Sequence, residues 1–125
     1  MDKVKAPPLH SLDPELVEQF QREASSVTQE EWFEQLGSMG QMAFLVIGLS
    51  QEAGEVQEIY KKWLARGAGL PKDLMHLAEE LGDVLWHIAV ICTLEGLSLT
   101  DVMGLSMCKF RKRYPHRFLE EGAVV

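Results

Sequence analysis

The sequence contains no uninterrupted apolar run approaching the roughly 18 to 20 residues that cross a bilayer, and no charged-then-apolar leader over residues 1–12. Both absences predict a soluble, cytoplasmic protein without a membrane partner. Cysteine is scarce: Cys92 and Cys108 are the two in the chain, they lie outside any CxxC spacing, and their apolar helical contexts predict buried reduced thiols. No chemistry is assigned to them. Positive charge is also short, with 12 Lys and Arg against 19 Asp and Glu and a net charge of −7. That balance argues against a protein that binds nucleic acid, because coating a polyphosphate takes a surplus of cations. A small anion met through a metal ion stays open. β-alternation of useful length is missing too.

What is present is amphipathic helix. At 125 residues, 46% of them hydrophobic, the chain fits a single domain with one core over residues 1–125. Residues 1–10, with Pro7-Pro8, read as a flexible arm and residues 116–125 as a tail. Asp13-Pro14-Glu15 supplies a cap, a proline at the first helical position and an early acid, starting a helix to about Glu23. Thr28-Gln-Glu-Glu31 reads as a capping box opening a short second helix through Trp32 and Phe33, which Gly37 and Gly40 end. Over residues 41–66, Met42, Leu45, Leu49, Val56, Ile59 and Trp63 recur at steps of three and four, apart from one missing apolar knob where Glu52 stands. Arg66-Gly67 stops this helix. A fourth, over residues 72–95, carries Leu74, Leu77, Leu81, Val84, Ile88 and Ile91 on one face, with His76, Glu80, Asp83 and His87 in the row beside it. Ser98-Leu-Thr-Asp101 caps a fifth helix that ends at Tyr114-Pro115. The expected fold is all-α, an antiparallel bundle of about five helices whose two long central members carry the acids.

Those central helices share one figure: Glu52-Ala-Gly-Glu55 and Glu80-Leu-Gly-Asp83. Residues three apart project from the same side of a helix, so each figure makes a pair of oxygen ligands, and two facing pairs hold a hard cation. Without one, convergent carboxylates repel each other and take up protons. An all-oxygen set points to Mg²⁺ or Mn²⁺ rather than structural zinc. Acids three apart are common on solvated faces, and it is the second pair on the next long helix that lifts the metal reading. The glycine repeated at the same offset costs about 1 kcal/mol per helix relative to alanine. The two glycines are read as letting the backbones approach.

Three stretches together resemble the MazG-like nucleotide pyrophosphohydrolases of the all-α NTP pyrophosphatase superfamily: Gly48-Leu-Ser-Gln-Glu-Ala-Gly-Glu-Val, Glu79-Glu-Leu-Gly-Asp-Val-Leu-Trp86 and Lys109-Phe-Arg-Lys-Arg-Tyr-Pro115. The resemblance covers residues 41–115. It implies an enzyme that uses Mg²⁺ to hydrolyse nucleoside triphosphates, usually deoxynucleotides, to monophosphate and pyrophosphate in cleaning the nucleotide pool, with Glu52, Glu55, Glu80 and Asp83 as metal ligands. Two departures stand out. The family motif opens with two glutamates where this chain has Gln51-Glu52, and an amide cannot accept a proton, so the catalytic residues are read as Glu52 and Glu55, with the base either a ligand carboxylate such as Glu55 or metal-bound hydroxide. Ser106 replaces the Asn usual before the last helix's lysine.

Lys109 and Arg113, four apart on one face, are candidates for phosphate contacts, matching the family's lysine and RYP positions together with Tyr114. Arg111 and Lys112 are better explained by the negative end of their helix. Lys62 belongs to a basic pair common in the family, and His87, one turn after Asp83, is a candidate for a phosphate or a metal-bound water. Trp32, Phe33 and Trp63 read as core or subunit interface rather than base-stacking groups. Two other functions fit the same residues: a non-catalytic nucleotide-binding or regulatory partner that has kept the acids, and phosphoribosyl-ATP pyrophosphohydrolysis. A di-iron bundle does not fit, since neither acid figure carries the Glu-x-x-His spacing. Apolar stripes on several faces of a short bundle predict a homodimer or homotetramer.

Overall fold

The computed structural model describes residues 14–67 and 69–118, and what it describes is helical. Five α-helices follow in order: α1 (Pro14–Ala24), α2 (Glu31–Glu34), α3 (Gly37–Arg66), α4 (Leu74–Leu94) and α5 (Leu99–Arg113), with 3-10 turns at Ser25–Gln29 and Pro115–Phe118. The all-α expectation holds. No single helix among the described residues is long and apolar enough to cross a membrane. The flexible arm over residues 1–10, Asp13 and the tail after Phe118 lie outside the described residues.

Local chemistry sets the breaks. Gly37 (φ 69°), Gly67 (φ 111°) and Gly96 (φ 72°) adopt the left-handed backbone that L side chains avoid, and they separate α2 from α3, end α3, and turn the chain between α4 and α5. The Asp73 side chain accepts from the His76 N–H to cap α4, and Ser98 accepts from the Asp101 N–H to cap α5. Two sequence-based boundaries are corrected. Thr28 is inside the 3-10 turn, where its hydroxyl donates to the Ser25 carbonyl at 2.7 Å, and Glu30 precedes α2 without a side-chain cap. Gly40 lies within α3 and stops nothing.

Packing is concentrated at one end. Phe33, Leu45 and Val90 are fully buried, and with Ala24, Ala89, Cys92 and Leu99 they join α1, α2, the first half of α3, the second half of α4 and the start of α5. Gln21 fastens this end: its amide donates to Thr93 Oγ1 (3.1 Å) and the Leu97 carbonyl (2.9 Å), and its carbonyl oxygen accepts from the Leu99 N–H (2.8 Å). The remaining halves of α3 and α4 extend as a two-helix hairpin with Ile59 buried between them. Its helices run antiparallel, since Gly48 meets His87 while Glu55 shares a cleft with His76. α5 bends 107° away from α4 and packs on α1 and the end of α4 without reaching α3. Cys92 is buried as expected, but Cys108 is exposed, because α5 turns that face away from the core.

Candidate metal centre

Where the core gives way to the hairpin, the missing apolar knob at Glu52 explains itself. Its carboxylate turns from α3 toward α4 and meets Glu80 and Asp83, one oxygen from each lying within 4.8 Å of the others. Glu52 and Glu80 are half-buried and Asp83 is exposed, so the group forms a shallow nest at the helix seam. Burial, a hydrogen bond to Glu80 and the negative charges of Asp83 and Glu80 push the Glu52 carboxyl above its ordinary value of 4.5, with His87 pulling it down. This conflict is the one a divalent cation removes. Three carboxylates without sulfur or imidazole make a hard donor set, which fits Mg²⁺ or Mn²⁺.

Glu55 stands apart from that trio. It lines a small cleft of about 140 Å³ with Lys62, Trp63, Arg66, Asp73 and His76, one turn along the seam. Lys62 pairs with Glu58, which lines the same cleft, at 3.1 Å. The cleft and the trio are joined through His76, whose Nε2 lies 3.1 Å from Glu80 Oε1.

His87 borders the trio from the core side. Its Nδ1–H donates to the Asp83 carbonyl at 2.8 Å, since a carbonyl can only accept, and its other edge lies flat against α3 at Gly48. Any β-carbon at Gly48 would overlap that ring, so Gly48 is the glycine a close approach requires. Gly54 and Gly82 are not: a β-carbon at either would meet nothing within 4 Å, and the backbone-approach reading of these two is set aside for the single chain.

The structure does not bring Lys109, Arg113 or Tyr114 to the carboxylates. Lys109 and Arg113 are exposed on α5, and Tyr114 stacks on Phe110 beneath the Arg117 guanidinium, 4.1 Å from the ring. Gln51 and Ser106 are exposed. Phe33 is core, Trp32 and Phe44 pack edge to face beside it and stay partly exposed, and Trp63 lies under the Lys72 ammonium. His76 in the acidic row of α4 and Gly48 at the start of the first acidic stretch carry no spacing signal for these contacts, which depend on the register of the two helices.

Comparison with known proteins shows the family. The family model for the MazG nucleotide pyrophosphohydrolase domain matches residues 42–118, which contain the trio, the cleft and α5. The uncharacterized protein YvdC of Bacillus subtilis (strain 168) is 30% identical over 94 residues, covering 69% of this chain and 89% of that protein. No solved structure matches the chain.

Proposed function

The chain belongs to the MazG nucleotide pyrophosphohydrolase domain family, and on that premise we propose that it hydrolyses nucleoside triphosphates, deoxynucleotides foremost, to the monophosphate and pyrophosphate, as a cytoplasmic enzyme of nucleotide-pool cleaning. The observation that carries this reading is the convergence of Glu52, Glu80 and Asp83 within 4.8 Å, with Glu52 pushed toward protonation by its neighbours. These three would hold Mg²⁺. Bound there, the ion would polarise the α-phosphate, acidify the attacking water and neutralise the departing charge.

The chain's own groups supply the rest. Water oxygen bonds to the α-phosphorus as the bond to the bridging oxygen of the β-phosphate breaks, and the electron pair leaves with pyrophosphate. The water's proton goes to a carboxylate oxygen of Glu55, which stands beside the trio rather than in it, a task the amide of Gln51 cannot perform. Lys62, on the cleft that Glu55 lines, would meet the leaving pyrophosphate. His87, fixed by the Asp83 carbonyl and seated over Gly48, bounds the opposite side of the site.

A second copy completes the molecule in this proposal. Nineteen large hydrophobic residues are exposed among the described residues, while eight hydrophobic residues are buried. Leu81 and Leu85, four apart along α4, are exposed among the described residues and mark a helix-pairing face beside the half-buried Ala78. A homodimer or homotetramer would bury it. Lys109 and Arg113, remote from the carboxylates of their own chain, would then meet an anion held by another.

The test is a panel of deoxynucleoside and nucleoside triphosphates and phosphoribosyl-ATP, incubated with protein and Mg²⁺ and resolved by product. Monophosphate and pyrophosphate from the triphosphates support the proposal. Turnover confined to phosphoribosyl-ATP would move the chain to the alternative activity, and binding without turnover would make it a regulator.

A further inference from the structure

His76 is a titratable group that touches the carboxylate trio and that the reaction described above does not use. It sits in the first turn of α4, where the Asp73 side chain receives its backbone N–H at 3.1 Å. Its ring Nε2 lies 3.1 Å from Glu80 Oε1. A carboxylate only accepts, so Nε2 carries the hydrogen and donates it. The Glu80 side chain is 16% exposed and the His76 ring 48%, so the contact joins a largely buried acid to a ring at the mouth of the cleft.

Helix stability does not account for the pair. A cation in the first turn opposes the positive end of the helix dipole, and a base four residues before an acid is the less favourable order for an i,i+4 pair. Exposed pairs of this kind contribute little in any case. The contact does act on Glu80. Glu80 also reaches across the seam, with an oxygen within 4.8 Å of Glu52 and Asp83, and a carboxylate that accepts a hydrogen bond from beside the group has its rotation restricted. A carboxylate that ligates a metal gains from such a restraint, because its orientation is set before the ion arrives.

We propose that His76 is a positioning residue of the metal centre, holding Oε1 of Glu80 through its Nε2–H so that the carboxylate is oriented toward Glu52 and Asp83. The proposal rests on the metal reading of the trio. It assigns His76 no contact with the nucleotide and no proton transfer.

Mn²⁺ binding to nucleotide-free protein, followed by the loss of the free-ion electron paramagnetic resonance signal, tests it in wild type, His76→Ala and His76→Gln. His76→Ala is expected to weaken Mn²⁺ binding by about 10-fold or more, while the metal-free melting temperature stays at the wild-type value. His76→Gln places an amide N–H close to the lost Nε2–H and is expected to recover most of that affinity. Wild-type affinity in His76→Ala overturns the positioning role and leaves the metal centre standing. Equal weakening in both variants also overturns it, since the donor would then not be what matters. Wild-type protein that binds no Mn²⁺ removes the metal centre itself.

Discussion

Glu52 shows what a single charge in an apolar stripe does. Its carboxyl is displaced upward by burial, by its bond to Glu80 and by the charges of Asp83 and Glu80, so over a window above 4.5 the folded chain keeps a proton that the unfolded chain has released. Its contribution to stability is fully present below the unfolded value and is lost as pH rises through the displaced one. Metal-free wild type is therefore expected to lose melting temperature across that window, and Glu52→Gln to lose less. Solvent reaching the half-buried group moderates the difference. Mg²⁺ added at pH 7 should raise the melting temperature of wild type and leave Glu52→Gln nearly unchanged. Gly48 gives a second test at this scale. Gly48→Ala drives a methyl into the His87 ring and is expected to cost about 1 to 3 kcal/mol in denaturant melts. In a His87→Ala background most of that cost should vanish, as a double-mutant cycle reads directly.

Among the elements, the core end depends on joints more than on helix propensity. Gln21 ties α1 to the α4–α5 turn through three hydrogen bonds, and Gln21→Ala should destabilise by about 2 kcal/mol, because the Leu99 N–H loses its partner. The long helices themselves were legible in the sequence: α3 and α4 follow their three-and-four spacing, and Ser98 caps α5 as read. The Thr28 capping box was misplaced, because the same residue types also satisfy a 3-10 turn, and only packing of Val27 and Phe33 on the core decides between them. The trio was legible in part for a geometric reason. Residues three apart on a helix differ by about 60° around its axis, so an acid pair three apart need not point at one spot. On α4 both members reach the seam, while on α3 Glu52 faces it and Glu55 is turned to the cleft. No spacing rule separates those cases without the register of the partner helix. The His76 contact depends on the same register.

For the whole molecule, the balance of eight buried hydrophobic side chains against nineteen large exposed ones among the described residues is what the proposed association of chains would relieve. The face of Leu81 and Leu85 on α4 is where association is expected. Leu81→Glu with Leu85→Glu places charge along it and should convert the oligomer to a monomer in light scattering. Because Lys109 and Arg113 lie away from their own trio, that monomer is also expected to bind triphosphates more weakly. The central claim, that Glu52, Glu80 and Asp83 form the metal centre of a nucleoside triphosphate pyrophosphohydrolase, is tested most directly by product-resolved turnover of deoxynucleoside triphosphates in Mg²⁺, wild type beside Asp83→Asn. The account predicts equal amounts of monophosphate and pyrophosphate from wild type, abolished by chelation and reduced at least about 100-fold in the variant. Undiminished turnover by Asp83→Asn, or by chelated wild type, would contradict it.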